Sequence, residues 1–458
     1  MDYARCGSAE TRSFWLHDEH GKHGGYRAEP ALAGTQRADV AVLGGGFTGL
    51  STAWHLKQLD PSLNVAVLEG AVIGYGASGR NGGFSMTLFG FEPDITTTLF
   101  GLERAREAHR YMEDAVDYVQ ELVRTQGMAC DYEHNGFARV ALTPAHERRL
   151  QRQLTLYDKW GFADSFHWWD RAQMQQAVHS PLFQGGFFEP RCGILNPARQ
   201  VLEWKRLCLE AGVKIFEHSA AQRLSYGNTT ATLHTETGSL TAERVVLATN
   251  AYSHLLPDMG HFSRRQAPVW TYQIVTEPLT DAQWQAIGWQ QRFGIETNRH
   301  MVHYFRPTAD GRITFGGANV QLAYGRSMNH DQHPPTWAML ERHLKSLFPP
   351  LKDVALAFRW GGPVSVTMDM VPNLGFYRDQ RTLYLAGCTG HGVSLTQYSG
   401  LTLAELALGL DSPRTDAWFV SRKPLAWPPE PLRFLGGQAI RGLLRAEDAW
   451  HERNLWGQ

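Results

Sequence analysis

The sequence predicts an α/β fold in which one parallel sheet is assembled from separated stretches of the chain and a second domain is inserted between them. Apolar strands of the kind that a parallel sheet buries on both faces occur early, in the middle and late in the 458 residues. The early strand leads through a glycine-rich turn into a segment with helical apolar spacing. Helical segments and more polar strands of antiparallel type fill the chain between these places.

The first unit is a β-α-β unit near the N-terminus. The run "ADVAVLGGG" is a short apolar strand, "TGLSTAWHLKQ" carries helical apolar spacing, and "LNVAVLEG" is a second strand. "RVVLATNAY" supplies the middle strand, and "RTLYLAGCTGHGVSLTQYSGLTLAELALG" reads as strand, glycine turn and long helix. These stretches belong to one sheet.

The intervening segments have their own signals. Residues 103–126 and 145–160 have helical spacing, with Pro144 at a plausible start. "QVLEWKRLCLEAGVKIFEH" predicts a helix stopped by Gly212 and then a strand, and "HYFRPTADGRITFGG" predicts a hairpin that turns at Asp310–Gly311.

Composition excludes several function classes. The formal net charge is −1 and no long Lys/Arg run is present, so we expect no nucleic-acid binding. The five cysteines are scattered without a Cys-x-x-Cys pair, which favours buried thiols in a reducing compartment over zinc or disulfides. The charged N-terminus does not resemble a signal peptide, and we expect a cytoplasmic protein without an integral membrane segment.

Gly44, Gly46 and Gly49 satisfy the pattern Gly-x-Gly-x-x-Gly between a strand and a helix. The first glycine permits a tight turn, the second lets the backbone approach a pyrophosphate, and the third lets helix and strand pack closely. The helix N-terminus then presents N–H groups and a positive dipole end to the phosphates. A structural turn is the alternative that the pattern alone leaves open.

Glu69 ends the second strand about 20 residues after Gly49, where a carboxylate can accept hydrogen bonds from an adenosine ribose. An acid there disfavours a 2′-phosphate and argues against NADP. The unit alone does not separate FAD from NAD. The glycine-rich loop "GYGASGRNGGF" favours FAD, because it can pass between a dinucleotide and a second domain while its donors reach the pyrophosphate and a flavin edge.

Together the stretches "VLGGGFTGLSTAWHL", "GASGRNGG", "VVLATNAY", "RWGGPVSVTMDMVPNLG" and "LYLAGCTGHGVSLT" resemble the D-amino-acid-oxidase-like (DAO) family of FAD-dependent oxidoreductases. The resemblance extends from about residue 37 to 410. Within the family it is nearest to the gamma-glutamylputrescine oxidase and aminophosphonate oxidoreductase branch. It implies a Rossmann-like FAD-binding domain of glutathione-reductase type, with an inserted α+β substrate domain that contains a mostly antiparallel sheet.

The resemblance also implies the domain boundaries. The FAD-binding domain would comprise residues 1–95, 185–262 and 358–430, the substrate domain 96–184 and 263–357, and a helical tail 431–458. The tail is an amphipathic helix with basic residues. We expect it to pack on its own domain or on a second subunit in a homodimer, in preference to a membrane surface.

By family position the cofactor-binding residues fall into four groups: the ADP-binding fingerprint, the loop beside the pyrophosphate and flavin, the adenine and strand-end contacts, and the C-terminal flavin contact. They are Gly44, Gly46, Phe47, Thr48, Gly49 and Glu69; Ser78, Arg80, Asn81, Gly82 and Gly83; Ala221, Thr249 and Asn250; and Gly387, Gly390, His391, Gly392, Val393 and Ser394.

The C-terminal group has a physical reason of its own. A helix starting near Gly392 would direct its N-terminus at the flavin pyrimidine ring. Negative charge develops there on reduction, and a helix dipole stabilises it by roughly 0.5–2 kcal/mol.

Two departures from the family pattern restrict the function. Relatives that attach FAD covalently carry a cysteine near the position of Gly362, so we expect non-covalent FAD. Sarcosine-type relatives carry a carboxylate-binding lysine where this chain has Ser394, so a simple α-amino acid is disfavoured as substrate.

Most candidates for the substrate side rest on family position, and core packing competes evenly with them; His303 rests on strand alternation, and a packed or solvated histidine is the commoner alternative for it. They are Tyr272, His303, Tyr324 and Trp360, with Asn319 and Tyr304 nearby. His300 and His303 form His-x-x-His without an evident third ligand, so we expect no metal. Four arginines are available for a phosphonate or carboxylate: Arg299, Arg306, Arg326 and Arg359.

The implied reaction is hydride transfer from the carbon of a primary or secondary amine to flavin N5, followed by hydrolysis of the imine and reoxidation by O₂ to H₂O₂. The substrate suggested by the branch is a gamma-glutamyl polyamine-like amine, and an aminophosphonate such as 2-aminoethylphosphonate is the alternative. A dehydrogenase with another electron acceptor and a non-catalytic flavin-binding subunit also stay open. An NAD enzyme is a third alternative and the easiest to exclude, because it predicts a colourless protein.

Overall fold

The computed structural model describes residues 13–22, 25–256, 262, 264–325, 327–453 and 455–456. Its helices are α1 (Phe14–Lys22), α2 (Phe47–Leu59), α3 (Pro93–Phe100), α4 (Leu102–Thr125), α5 (Pro144–Lys159), α6 (Arg171–Ala177), α7 (Pro197–Glu210), α8 (Asp281–Ile287), α9 (Pro334–Leu347), α10 (Gly392–Leu408) and α11 (Leu432–Glu452).

The strands are β1 (Gly34–Leu43), β2 (Val65–Leu68), β3 (Phe84–Ser85), β4 (Phe137–Ala141), β5 (His167–Trp169), β6 (Gly185–Glu189), β7 (Gly193–Ile194), β8 (Lys214–Phe216), β9 (Arg223–Tyr226), β10 (Ala231–His234), β11 (Gly238–Leu247), β12 (Ala267–Thr276), β13 (Gly294–Thr297), β14 (His303–Pro307), β15 (Ile313–Gly317), β16 (Gln321–Leu322), β17 (Leu356–Val366), β18 (Asn373–Tyr377) and β19 (Asp379–Ala386).

The first sheet joins the early, middle and late apolar strands, as the sequence predicts. Its main path runs β18-β19-β11-β1-β2-β8, and the pairs from β19 to β8 are parallel. Both faces of β1 are buried, because Val40 and Val42 pack into the core on one face while Ala41 and Leu43 pack into the core on the other. A strand buried on both faces explains the continuous apolar run.

The helices that cover this sheet are joined to one another by polar contacts as well as apolar packing. The Ser51 hydroxyl on α2 donates to the Gln397 carbonyl on α10 at 2.6 Å, and the Trp204 indole on α7 donates to the Gln397 side chain at 2.7 Å. Gly400 lets the two helices approach, since a Cβ there would lie 2.5 Å from the Ser51 hydroxyl oxygen. These contacts fix α10, whose N-terminus faces the site described below.

The second sheet is mostly antiparallel and follows the path β16-β12-β15-β14-β13-β4-β6-β5, with β17 paired to β12. The predicted hairpin is confirmed, because β14 and β15 pair on either side of the turn at Asp310–Gly311. Helix α9 covers the sheet over a core rich in phenylalanine and leucine. The helices predicted at 103–126 and 145–160 are confirmed as α4 and α5.

The predicted division into domains stays a proposal. Strands β6 and β17 both pair inside the second sheet, although the predicted boundaries at 185 and 358 assign most of their residues to the FAD-binding domain. Among the described residues, no helix combines the length and the apolar character needed to cross a bilayer.

Candidate functional site

A long cavity lies at the carboxyl ends of the central parallel strands. Leu43 and Gly44 line it after β1, and Ala248 and Thr249 line it after β11. The chain moves from β1 to β2 on one side and reaches β11 on the other, so the cavity lies where the strand order reverses. It contains about 1220 Å³ of space free of protein atoms, its open mouth included.

Two glycines that line the cavity, and a third packed behind them, allow close approaches of the chain. Gly44 has φ +115°, and a Cβ there would lie 2.7 Å from the Ala248 carbonyl oxygen. A Cβ at Gly46 would lie 2.8 Å from the Ser78 hydroxyl oxygen. Gly49 is on the far side of the turn, where a Cβ would lie 1.9 Å from the Gly44 carbonyl oxygen, so this glycine sets the helix-to-strand distance.

Helix α2 begins at the cavity wall with Phe47 and Thr48 lining it. Its N-cap is Gly46, which offers no side chain to the first turn, and the Phe47 N–H donates to the Ser78 hydroxyl at 2.9 Å. A helix N-terminus with this exposure to a cavity is suited to an anion such as a phosphate.

Glu69 lines the cavity just after β2. Its carboxylate accepts hydrogen bonds from the Gly45 N–H at 2.8 Å and the Ala71 N–H at 2.9 Å. Burial raises the pKa of this carboxyl group, while the backbone N–H groups act in the opposite direction. Ala221 lines the same cavity.

The loop after β2 is held by its own side chains. The Asn81 amide donates to the Ala77 carbonyl at 3.0 Å and accepts from the Gly83 N–H at 2.7 Å. Ser78 and Asn81 line the cavity. Helix α1 supports the loop from outside, because the Trp15 indole donates to the Asn81 carbonyl at 3.0 Å.

Arg80 is absent from the cavity lining and lies behind the cavity wall, between Tyr252 and Asp331. Its guanidinium contacts the Asp331 carboxylate at 3.1 Å and the Tyr252 hydroxyl at 3.3 Å, and its side chain is only 1% exposed. Burial alone would lower its pKa, but Tyr252 and Asp331 raise it above the ordinary value. The Arg80 carbonyl accepts from Gln273 at 2.8 Å and Trp360 at 2.9 Å. Arg80 therefore ties the loop to β12 and β17.

The C-terminal motif closes the other end of the cavity. Asn250 joins it to the middle strand, accepting from the Gly387 N–H at 3.1 Å and donating to the Cys388 sulfur at 3.2 Å. Gly390 has φ +95°, and α10 begins two residues later at Gly392. The N-cap of α10 is His391, whose side chain does not cap the helix.

The His391 imidazole has a buried Nδ1 atom without a hydrogen-bond partner within the described residues. Burial lowers its pKa to about 3, so the ring is neutral at pH 7. An unpartnered buried ring nitrogen is costly unless another molecule completes it.

The structure brings most of the predicted cofactor-binding residues together at this one cavity. Thirteen of them line it: Gly44, Gly46, Phe47, Thr48, Glu69, Ser78, Asn81, Ala221, Thr249, Asn250, Gly390, Gly392 and Val393. The others are absent from the lining and lie behind it or beside it: Gly49, Arg80, Gly82, Gly83, Gly387, His391 and Ser394.

Ser394 and the two loop glycines illustrate what that second group does. The Ser394 and Ser85 hydroxyl groups are hydrogen-bonded at 2.8 Å, and both residues are fully or almost fully buried. A Cβ at Gly82 would lie 2.7 Å from the Phe84 ring, and a Cβ at Gly83 would lie 2.1 Å from the Leu195 carbonyl oxygen.

The candidates for the substrate side separate in the structure. Tyr272 and Trp360 are buried on neighbouring strands, where the Tyr272 hydroxyl donates to the His330 carbonyl at 2.8 Å. Tyr324 is 57% exposed and its ring meets the edge of Phe434. The Asn319 side-chain amide donates a hydrogen bond to the Thr336 hydroxyl at 2.9 Å.

His303 faces away from the loop at 74–84. It is fully buried, 3.0 Å from the Arg299 guanidinium and 2.8 Å from the His343 ring, and burial followed by Arg299 lowers its pKa well below the usual range. Its strand neighbour Tyr304 faces the other way and meets Phe84 edge-on at 6.0 Å. The alternation along β14 therefore turns Tyr304, and not His303, toward the loop.

The arginines near the site are committed within the protein. Arg306 is buried and donates to the carbonyl groups of Gly82, Leu195 and Pro307, and burial lowers its pKa to about 9. Arg299 binds Glu452 at 2.5 Å, and the exposed Arg359 lies 3.8 Å from Glu341. Arg326 lies outside the described residues.

One group of described residues has ligand atoms close enough together for a metal. These atoms belong to His146, Asp448 and Glu452 and lie within 4.8 Å of one another. The Arg299 guanidinium contacts Glu452 at 2.5 Å and Asp448 at 3.9 Å, so a cationic side chain already partners both carboxylates. His300 instead lies 3.0 Å from Glu447, apart from His303.

The sequence interpretation missed several residues of the cavity wall. Tyr75, Tyr252, Val364 and Cys388 line it. All four stand inside the quoted motifs, so position within a motif is a signal that could have found them. Asp331 had no such signal, because it is 251 residues from its partner Arg80.

Comparison with known proteins identifies the family. The model of the FAD dependent oxidoreductase family (DAO) matches residues 39–406. The chain is 31% identical over 391 residues to "Probable oxidoreductase OrdL" of Haemophilus influenzae, covering 83% of this chain and 85% of that protein. It is 30% identical over 382 residues to the "Gamma-glutamylputrescine oxidoreductase" of Escherichia coli, with the same coverage.

Solved structures share the fold at low identity. The glycine oxidase of Geobacillus kaustophilus superposes with a TM-score of 0.72 at 19% identity, covering 85% of this chain and 100% of that chain. The L-proline dehydrogenase of P. horikoshii superposes with a TM-score of 0.69 at 18% identity, covering 84% of this chain and 98% of that chain. The fold class and the family resemblance predicted from the sequence are thereby confirmed, and so is FAD as the cofactor.

Proposed function

This chain belongs to the DAO family of FAD-dependent oxidoreductases, and from that premise we propose that it oxidises an amine that bears no carboxylate on the reacting carbon. The anionic group of the substrate is distant from that carbon, as in a gamma-glutamyl polyamine. The observation that carries the proposal is the absence of an uncommitted cation beside the cavity, within the part of the chain that the structure describes.

The residues around the cavity fit FAD. Gly44, Gly46 and the N-terminus of α2 would hold the pyrophosphate, because the two glycines allow the close turn that brings the backbone N–H groups of the helix start to the cavity. Glu69 would accept hydrogen bonds from the ribose, and the turn before α10 would meet the flavin end. The binding is non-covalent in this proposal.

When bound, FAD supplies a hydride acceptor for the carbon next to the amine nitrogen. The protein would position that carbon and keep water away with the buried aromatic residues Tyr272 and Trp360. Neutral His391 can hydrogen-bond through its unpartnered Nδ1, and α10 directs the positive end of its dipole toward the same place. A neutral amine fits a site whose nearest imidazole carries no charge.

Among the described residues, each buried arginine near the cavity that might bind an α-carboxylate already has a partner. Arg80 contacts Asp331, Arg306 donates to three carbonyl groups, and Arg139 lies 2.6 Å from both Glu92 and Glu296. Freeing a buried guanidinium from its partner costs several kcal/mol, roughly 3–5 by comparison with other buried pairs. A carboxylate on the reacting carbon would therefore find no ready counter-ion.

The Ser85–Ser394 pair supports the same conclusion. Ser394 stands at the position where sarcosine-type relatives carry a carboxylate-binding lysine. Its hydroxyl group is hydrogen-bonded to the Ser85 hydroxyl group at 2.8 Å. The same commitment of the arginines disfavours the aminophosphonate alternative, since a phosphonate needs cationic or multiple donor partners.

The name of the 30% identical relative agrees with this substrate class. We assign gamma-glutamylputrescine or a close analogue as the first substrate to test, and O₂ as the electron acceptor, with formation of H₂O₂. The product imine would hydrolyse to an aldehyde and ammonia. A cytoplasmic location also belongs to this proposal.

The test is peroxide release by the purified, flavin-loaded enzyme with gamma-glutamylputrescine, putrescine, 2-aminoethylphosphonate, sarcosine and common amino acids. We expect gamma-glutamylputrescine to give the highest turnover. Fastest turnover with sarcosine or another α-amino acid would contradict the proposal. Anaerobic bleaching at 450 nm separates the acceptor from the substrate, because bleaching without peroxide in air identifies a dehydrogenase.

A further inference from the structure

Glu296 is a buried carboxylate on the face of the second sheet that is turned to the loop at 74–84. Two residues before it on β13 is Gly294, where a Cβ would lie 2.7 Å from the Phe84 ring. Across the ladder Glu296 is paired with Tyr304, whose ring meets Phe84 edge-on at 6.0 Å. Residues two apart on a strand, and residues directly opposite on paired strands, share one face of a sheet. Glu296 and Tyr304 therefore face this loop together.

Only one oxygen of the Glu296 carboxylate is bound within the described part of the chain. Its Oε1 atom accepts a hydrogen bond from the Arg139 guanidinium at 2.6 Å, and Oε2 has no partner among the described residues. The residue keeps 7% of its surface accessible, whereas its neighbours Ile295 and Thr297 are completely buried. A buried carboxylate oxygen that accepts no hydrogen bond is costly unless another molecule donates to it.

The charges around Glu296 favour a cation as that donor. The Arg139 side chain is 3% exposed and lies 2.6 Å from both Glu92 and Glu296, so one guanidinium serves two carboxylates. Glu92 also acts on Arg149, but that guanidinium donates to the Asn298 carbonyl. Burial raises the pKa of Glu296, Arg139 lowers it and Glu92 raises it again, with a net shift upward. A positively charged donor would relieve the repulsion between the two carboxylates.

This carboxylate lies beside the predicted flavin end of the cavity. Tyr304 packs against the loop that lines the cavity, because a Cβ at Gly82 would lie 3.2 Å from the Tyr304 ring. On the other side, the positive charge of Arg139 adds to burial in lowering the pKa of His391. The Arg139–Glu296 pair is therefore within electrostatic reach of the turn before α10.

The chemistry around Oε2 selects an ammonium group. An ionised carboxylate only accepts hydrogen bonds, which excludes another carboxylate or a phosphonate as the occupant. An ammonium group has three donors and a positive charge, and the half-buried Tyr304 ring on the same face can add a cation–π attraction. A hydroxyl group can donate one hydrogen bond but leaves the negative charge uncompensated.

We propose that Glu296 binds the ammonium group of the substrate and that Arg139 positions Glu296 for this contact. The inference rests on the amine oxidation proposed above and adds the residue that recognises the reacting nitrogen. The carbon that gives up the hydride must carry a neutral amine, so one N–H proton passes from the ammonium group to Oε2. This transfer leaves a neutral amine beside a neutral Glu296 carboxyl group, and the proton later returns to solvent.

The test uses the FAD-loaded enzyme and tert-butylammonium, which cannot be oxidised because its nitrogen-bearing carbon carries no hydrogen. Binding at pH 7 is measured by calorimetric titration, with tert-butanol as the neutral probe of the same shape. We expect the ammonium ion to bind on the order of tenfold or more tighter than the alcohol. Glu296→Gln should remove this preference.

The matched control is Glu92→Gln, which removes the other carboxylate 2.6 Å from Arg139 but not the proposed contact. It should keep the preference, and both variants should keep their flavin absorbance. The same loss in both variants would assign Glu296 a structural role and overturn the proposal. So would equal binding of the two probes to the unchanged enzyme, a result that needs no variant to fold.

A kinetic test separates this inference from the substrate proposal. With whichever amine bleaches the flavin fastest, Glu296→Gln should slow anaerobic flavin reduction at pH 7 on the order of tenfold, and the rate should recover toward about pH 9.5, where solution supplies more neutral amine. Fastest bleaching by an α-amino acid would contradict the substrate proposal and not the role of Glu296. Identical pH profiles for Glu296→Gln and the unchanged enzyme would overturn the role of Glu296 and not the substrate proposal.

Discussion

The glycine-lined cavity and the second sheet are organised by contacts of different range and kind. At the glycine-rich turn, a backbone N–H meets a side chain over a short stretch of chain, as where Gly45 donates to the Glu69 carboxylate 24 residues away. Behind the loop at 74–84, side chains from distant elements meet, as where Arg80 contacts Asp331 across 251 residues. The first kind of contact needs particular residues at particular spacings, and the second kind only needs complementary partners somewhere in the fold.

The largest expected effect comes from adding a methyl group at the base of the cavity. In Gly49→Ala the new Cβ would lie 1.9 Å from the Gly44 carbonyl oxygen, so α2 must move away from β1. We expect loss of bound FAD and a fall in the free energy of unfolding of about 3 kcal/mol or more, measured by flavin absorbance and denaturant titration.

Its control is Gly442→Ala on α11, where a Cβ meets nothing within 4 Å. The control should keep its flavin and gain stability by roughly 0.5–1 kcal/mol, since alanine favours a helix. Equal flavin content in both variants would show that close helix–strand packing does not organise the cavity.

The next effect tests the long-range contact. Asp331→Asn leaves the Arg80 guanidinium, whose side chain is 1% exposed, without its anionic partner. Because Asp331 itself is 24% exposed, we expect a loss of about 2–3 kcal/mol in the free energy of unfolding, somewhat less than for a fully buried pair. Thermal unfolding of the flavin-loaded enzyme measures it.

Asp310→Asn is the matched control for that prediction. Its ion pair with Arg312 at 2.7 Å has a carboxylate that is 42% exposed, and such pairs contribute about 0–1 kcal/mol. If the two variants lose the same stability, the Arg80–Asp331 pair does not anchor the loop.

A smaller effect concerns the charge at the ribose end of the cavity. Glu69→Gln keeps the side-chain volume but removes the negative charge that would accept two ribose hydroxyl hydrogen bonds. We expect FAD affinity to fall on the order of tenfold, with little change for the exposed Glu243→Gln. Titration of the apoprotein with FAD measures both, and unchanged affinity in Glu69→Gln would assign this carboxylate a structural role.

The smallest effect is a pH dependence at the flavin end. Burial holds the pKa of His391 at about 3, so the unfolded chain binds a proton near pH 6.5 that the folded protein does not. The contribution of this residue to stability is full above pH 6.5 and is lost as the pH falls toward 3. When the pH falls from 7 to 5.5, the free energy of unfolding should decrease by about 1 kcal/mol less in His391→Gln than in the unchanged protein.

Urea titrations at the two pH values measure this difference. The exposed His218→Gln should behave like the unchanged protein. An acid-induced loss that is identical with and without His391 would mean that its ring takes up a proton in the folded state.

These differences explain what the sequence could and could not predict. Strand burial on both faces and glycine spacing made the first sheet and most of the cavity lining predictable, because both depend on short, local patterns. The direction of Arg80 was not predictable, since its partner Asp331 belongs to a loop without a motif. His303 and Tyr304 were ambiguous for a similar reason, because alternation separates two faces but does not say which face meets the site.

The outward direction of the apolar stripe of α11 is a third feature that the sequence did not predict. The side chains of this stripe are exposed to solvent: Leu432, Leu435, Ile440, Leu443 and Trp450. The sequence predicted an amphipathic helix and favoured its packing on protein, because apolar faces usually turn inward. The inward face is set by Asp448 and Glu452, whose partners Arg299, His300 and Met301 lie 147 to 153 residues earlier.

The central claim is that the site accepts an amine without a carboxylate on the reacting carbon. The direct measurement compares kcat/KM for gamma-glutamylputrescine with that for Nδ-gamma-glutamylornithine, which differs only by that carboxylate. We expect the uncarboxylated amine to be favoured on the order of a hundredfold or more, because an unpaired buried carboxylate costs at least about 3 kcal/mol. Equal or faster turnover of the carboxylated substrate would contradict the account.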